Sequence, residues 1–141
     1  MCGIVGCLPA TDFDQATLTE VVIAMSNSLS HRGPDSFGEW VGTEPRVALG
    51  HRRLSIIELS PAGAQPMHSV SGRYVIAFNG EIYNHLELRT QLAEAPMGPT
   101  SWKGHSDTET LLACFEAWGI EKTLGRVSGM GFLYKFRPSH T

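Results

Sequence analysis

Cysteine is scarce in this chain: Cys2, Cys7 and Cys114 are the only three. An odd number at such wide spacing does not make a disulfide framework. No Cys or His pair has zinc-site spacing, and the six histidines (His31, His51, His68, His85, His105, His140) are scattered, so no metal is expected. No apolar run approaches the ~20 residues of a membrane-spanning helix. Basic charge is also short: the formal net charge is -3, which excludes the electrostatic footprint of a nucleic-acid or anionic-membrane binder. A basic stretch followed by an apolar one is missing at the N-terminus, and the expected compartment is the cytoplasm. Repeats, low-complexity tracts and linkers are missing too. What remains is 141 residues, 42% hydrophobic and 18% charged, enough for one globular domain with a real core.

Strands and helices mix along the chain without the regular alternation of a doubly wound sheet, so the expected class is α+β with mainly antiparallel strands. Ile4–Leu8 is a short apolar strand stopped by Pro9. Asp14 can cap a helix whose apolar residues Leu18, Val21, Val22, Met25 and Leu29 recur at helical spacing. His31-Arg32-Gly33-Pro34-Asp35 breaks that pattern as a loop. Phe37–Val41 and Val47–Gly50 read as strands around a turn at Thr43-Glu44-Pro45. A long loop with Pro61, Gly63 and Pro66 precedes a strand, Tyr74–Phe78, that ends at Asn79-Gly80. Asn84 with Glu87, and Ser106 with Glu109, have capping-box spacing before two more helices. Leu111, Leu112 and Phe115 supply the buried face of the second, and Gly119 ends it. Ala95–Gly104 is a surface loop.

A cysteine at position 2 has a property no internal cysteine has. Removal of Met1 exposes an α-amino group, reference pKa about 7.7–8.0, beside a thiol of about 8.5. The amine can then serve as the local base for the sulfur nucleophile, without a catalytic histidine. The plain alternative is an early residue of an apolar strand, since a free cysteine is commonly a small buried hydrophobe. Asn79-Gly80 likewise has a plain reading as a type I′ hairpin turn, Arg53 as a surface arginine, and Asp107 as an acid favoured at a helix N-terminus. Cys7 and Cys114 read as packing residues.

Five ordered blocks change that balance: Met1-Cys2-Gly3-Ile4-Val5-Gly6, His31-Arg32-Gly33-Pro34-Asp35, Gly50-His51-Arg52-Arg53-Leu54-Ser55-Ile56, Phe78-Asn79-Gly80-Glu81-Ile82-Tyr83-Asn84 and Ser106-Asp107-Thr108-Glu109. Together they resemble the class II glutamine amidotransferase domain, most closely the glutaminase domain of glutamine-hydrolysing asparagine synthetases. Phosphoribosyl-pyrophosphate and glucosamine-phosphate amidotransferases share the opening cysteine but are not expected to carry the later blocks in this form. The resemblance implies an N-terminal-nucleophile hydrolase fold, a four-layer αββα sandwich of antiparallel sheets. It implies glutamine as substrate and Cys2 as nucleophile. The Asn79 side chain and Gly80 N–H would form the oxyanion hole, each such donor typically worth about 2.7–4 kcal/mol. Arg53 would grip the substrate carboxylate. Asp107 would hold its ammonium with help from Glu81, and Leu54 and Ile56 would supply backbone groups and pocket wall. No cofactor is implied in this domain; ATP and magnesium belong to a synthetase domain that accepts the ammonia. His31 and Arg32 receive no chemical step.

The resemblance covers residues 2–130 and stops at Met130. There the family continues with an apolar strand, whereas Gly131-Phe132-Leu133-Tyr134-Lys135-Phe136-Arg137-Pro138 follows here. Residues 131–141 thus read as a divergent tail, with truncation or a changed reading frame as its origin, and the sandwich is expected to be incomplete at that edge. Phe132, Leu133, Tyr134 and Phe136 could form a replacement strand. Two readings compete: a glutaminase, or a truncated non-catalytic remnant that at most binds glutamine or a partner. The two are separated by the processing of Met1 and by a strand after Met130. A metal or redox protein using the three cysteines ranks third.

Overall fold

The computed structural model describes residues 2–10, 12–44, 46–55 and 60–136. Ile56, one of the expected pocket residues, and Met1 lie outside the described residues. Among the described residues, six strands and four helices form in the order β1 (Gly3–Cys7), α1 (Gln15–Ser28), β2 (Ser36–Thr43), β3 (Arg46–Arg53), β4 (Met67–His68), β5 (Val75–Ile82), α2 (His85–Ala93), α3 (Asp107–Trp118), α4 (Ile120–Leu124) and β6 (Gly129–Phe136). Two three-stranded antiparallel sheets result, ordered β1-β3-β2 and β4-β5-β6. The α1 helix packs on the first sheet, α3 packs on the second, and α2 and α4 pack on α3. The sheets face each other through β1, β3, β5 and β6. This is the expected αββα sandwich.

The layers follow from the two-residue period of the strands. On β3, Ala48 meets Leu18, Val22 and Val5 under α1, while Leu49 meets Val75 and Ala77 between the sheets. On β5, Val75 and Ala77 face the first sheet, and Ile76 and Phe78 join Leu88, Leu111 and Phe115 under the helices. The helices form as their caps direct. Asp14 accepts the Thr17 N–H at 2.7 Å, which holds its carboxyl below the usual range. Gly119 ends α3 at φ 78°, where a side chain would be strained. Met25 stays 36% exposed, and Ser26 is buried in its place.

Several sequence expectations change. Asn79-Gly80 is no turn: β5 runs through it to Ile82, with Gly80 opposite Gly131. A turn preference is a local tendency, and a full partner strand overrides it. Asn84 stands at the N-cap of α2, but its side chain makes no capping hydrogen bond. Its Nδ2 donates to the Arg126 carbonyl and its Oδ1 accepts the Ser128 N–H at 2.8 Å, which anchors the approach to β6. Only half of the second capping box forms. Ser106 accepts the Thr108 N–H, but Glu109 reaches back to the Lys103 and Gly104 N–H groups. The long loop contains a 3-10 turn at Pro61–Gly63 and the two-residue β4. The aromatic tail does supply a strand, with β6 paired to β5 from Val75↔Phe136 to Ile82↔Gly129.

Candidate active site

Alternation along three strands aims the chemistry at one place. Ile4 faces the space between the sheets, so Cys2 shares that side. On β3 the two neighbouring arginines part company. Arg52 turns to α1, donating from Nε to the Ser26 carbonyl at 3.2 Å; Arg53 takes the opposite face with Leu49 and His51. On β5, Asn79 and Glu81 follow Val75 and Ala77 toward the first sheet. The result is a cavity of about 820 Å³ lined by Cys2, Arg53, Leu54, Asn79, Gly80, Glu81 and Asp107. Every expected site residue among the described residues lines it.

The Cys2 thiol is held by backbone. The Leu54 N–H donates to Cys2 Sγ at 3.4 Å, and the thiol reaches the Leu54 carbonyl at 3.7 Å. Arg53 spends one N–H on the Ser60 carbonyl at 3.1 Å; a guanidinium carries five such donors. The HRGPD block is fastened along this end of β3. Asp35 N–H donates to the Arg53 carbonyl at 3.1 Å, and the Asp35 carboxylate accepts the Ser55 N–H at 2.7 Å. Gly33 makes this approach possible, because a Cβ there would lie 2.6 Å from the Arg53 nitrogen. Arg32, given no step from sequence, also lines the cavity.

The outward edge of β5 explains the placement of Gly80. Odd residues bond toward β6, as the Tyr83 N–H to Ser128 carbonyl contact shows. Even residues therefore direct their N–H and C=O groups away from β6. The Phe78 N–H donates to Gln65 Oε1 at 2.6 Å, and the Ile82 N–H donates to Asp107 Oδ2 at 2.9 Å. The Gly80 N–H lies between them and faces the cavity. Asp107 is buried at the start of α3, so its carboxylate both closes β5 and lines the cavity.

Among the lining residues not expected from sequence are His51 and Gln65. His51 is 1% exposed and meets the Phe78 carbonyl through Nε2 at 3.2 Å. Burial, with a contribution from the Arg53 charge, pulls its pKa down to about 4, so the ring is neutral at pH 7. Its signal was available: His51 shares a strand face with Arg53. Gln65 had no local signal, since it sits in a loop whose path depends on both sheets. No group of three His, Cys, Asp or Glu able to hold a metal occurs among the described residues. No helix among them is long and apolar enough to cross a membrane.

A thiol just ahead of β1, a neighbouring backbone N–H, and an arginine and two carboxylates on one cavity give a four-layer sandwich a site with the groups that amide chemistry needs. A family model described as a glutamine amidotransferase domain matches residues 1–136, and the chain belongs to this family. It is 38% identical over 131 residues to glutamine-hydrolysing asparagine synthetase 1 of Bacillus subtilis, covering 92% of this chain and 20% of that protein. It is 36% identical over 121 residues to asparagine synthetase B of Escherichia coli, covering 86% and 20%. It is 34% identical over 128 residues to the amidase chry2 of Gibberella zeae, covering 85% and 18%. The chain thus spans about a fifth of the length of these relatives.

Proposed function

We propose that this chain hydrolyses glutamine to glutamate and ammonia through a γ-glutamyl thioester on Cys2. The observation that carries the reading is the convergence of Cys2, Asn79, the Gly80 N–H, Arg53 and Asp107 on one cavity. With Met1 removed, the Cys2 amine takes the thiol proton as sulfur bonds to the side-chain amide carbon. The amide oxygen becomes an oxyanion between the Asn79 amide and the Gly80 N–H. Its collapse breaks the C–N bond, and the amine returns the proton to the departing nitrogen, which leaves as ammonia. Water then attacks the thioester, releasing glutamate and restoring the thiol. Arg53 and Asp107, with Glu81, hold the substrate's α-carboxylate and α-ammonium. This chemistry asks for no cofactor in the domain.

As in the asparagine synthetases it resembles, the ammonia would serve an ATP- and magnesium-dependent acceptor domain, with cytoplasmic amino-acid biosynthesis as the setting. The non-catalytic alternative drew on a missing strand after Met130. The full pairing of β6 with β5 favours the enzyme instead. The test joins intact mass to a glutaminase assay. Protein lacking Met1 is expected to release glutamate and ammonia, and Cys2→Ala to abolish it. A processed protein with no turnover and no labelling of Cys2 by a glutamine-like electrophile would overturn the reading.

A further inference from the structure

We infer that His51 and Gln65 are positioning residues for the oxyanion hole, fixing the two peptides that flank Phe78: Gln65 holds the N–H of the Ala77–Phe78 peptide and His51 the carbonyl of the Phe78–Asn79 peptide. The inference rests on the glutaminase reading. The β4–β5 ladder pairs Met67 with Ile76 and His68 with Val75. Continued by two residues, the same register would set Gln65 opposite Phe78, yet β4 begins only at Met67. Two side chains take over where the ladder stops. Gln65 Oε1 accepts the Phe78 N–H at 2.6 Å. His51 Nε2 meets the Phe78 carbonyl at 3.2 Å; a carbonyl only accepts, so Nε2 carries the hydrogen. Both backbone groups on the outward side of Phe78 are thus held from outside the sheet.

The next residue is Asn79, and the next outward N–H is that of Gly80. The orientation of the Phe78–Asn79 peptide sets the direction of both donors. Each of the two side chains is itself fixed. His51 stands on β3, the strand that also carries Arg53, so it bridges the two sheets at the site. Gln65 is gripped at its other end, with Nε2 donating to Thr108 Oγ1 at 3.4 Å on the first turn of α3. A Cβ on Gly38 of β2 would strike the Gln65 carbonyl, so its backbone is wedged against the first sheet as well. Neither residue needs to touch substrate to act. A small misplacement of a catalytic group can cost about 100-fold in rate, which is the effect their loss should produce.

The test compares His51→Gln with His51→Met in the full chain, after turnover has been shown for the wild type. A glutamine side chain places an N–H near the position of Nε2; methionine fills similar space without one. We expect His51→Met to lower kcat for glutamine roughly 10- to 100-fold with KM nearly unchanged, and His51→Gln to recover most of it. Glutamine affinity measured calorimetrically in the Cys2→Ala background should be the same with either residue at 51. If His51→Met does not fold, Gln65→Met carries the same expectation from the neighbouring peptide, on the other side of the Phe78 Cα. Equal kcat in wild type and His51→Met, or a parallel loss of glutamine affinity, would overturn the inference. A wild-type chain without turnover would instead overturn the glutaminase reading itself, and this inference with it.

Discussion

The Asp107 carboxylate accepts the Ile82 N–H at 2.9 Å, tying the first residue of α3 to the last of β5. On the proposed glutaminase reading one side chain serves both the fold and the substrate clamp, and two substitutions separate the roles. Asn keeps an oxygen for the Ile82 N–H but loses the charge. Asp107→Asn is expected to raise KM for glutamine roughly 10- to 100-fold, from loss of a charge-assisted contact of about 1.5–3 kcal/mol, with little change in melting temperature. Asp107→Ala should raise KM similarly and also destabilise the fold by about 1–3 kcal/mol, because a buried donor loses its partner. Kinetics and thermal melts on both variants check this. Equal stability of the two would show that the Ile82 contact contributes nothing.

Inserting one alanine before Cys2 tests the base. The thiol and its Leu54 N–H contact remain, but the free amine moves one residue away. General acid–base assistance is typically worth about 10²- to 10⁴-fold, and kcat should fall by at least the lower figure. Cys2 should still react with a glutamine-like electrophile, unlike Cys114. The latter is fully buried, and burial pushes its thiol up to about 12, so it should resist alkylation until the protein unfolds. Peptide mapping after labelling reports both cysteines.

The mixed α+β class was legible in short-range patterns, whereas the sandwich and most of the site were legible only through the family resemblance that the ordered blocks carry. Alternation along β3 sends Arg52 and Arg53 to opposite faces, and the blocks around Cys2, Arg53, Asn79 and Asp107 stay contiguous in sequence. What was not legible depends on pairing across the chain. Asn79-Gly80 reads as a turn until its partner strand is known, and that partner lies about fifty residues later. Asn84 has a capping residue's sequence context, yet its side chain is claimed by Arg126 and Ser128. Gln65 shows the limit most clearly: nothing near it in sequence announces that it completes a ladder on β5.

Gly131 lies just past Met130 but within the family match, which runs to residue 136, and its position makes the role of β6 answerable. A Cβ there would lie 2.6 Å from the Gly80 Cα and 2.8 Å from the Asn79 carbonyl. Both neighbours are strand backbone and cannot rotate away. Gly131→Ala is expected to destabilise the protein by about 1–3 kcal/mol, as overpacking does, and to lower kcat because Gly80 must shift. A melting curve and turnover rate like those of the wild type would show that β6 does not constrain the oxyanion donors.

His51 also gives stability a predictable pH dependence. Its folded pKa of about 4 lies below the ordinary 6.5, so between these values the unfolded chain binds more protons than the folded one. Stability then rises with pH. The contribution of neutral His51 is fully present above about 6.5 and is lost as pH falls toward 4. The difference corresponds to roughly 3 kcal/mol at 1.36 kcal/mol per unit. Asp14, held below its usual 3.8 chiefly by the Thr17 N–H, acts at still lower pH and does not mask the effect. Urea unfolding at pH 7.5, 6.5, 5.5 and 4.5 should show the decline in wild type. His51→Gln, which cannot take the proton, should show a shallower one. Parallel curves would mean that the ring is protonated within the fold, and that its contact with Phe78 does not require a neutral imidazole.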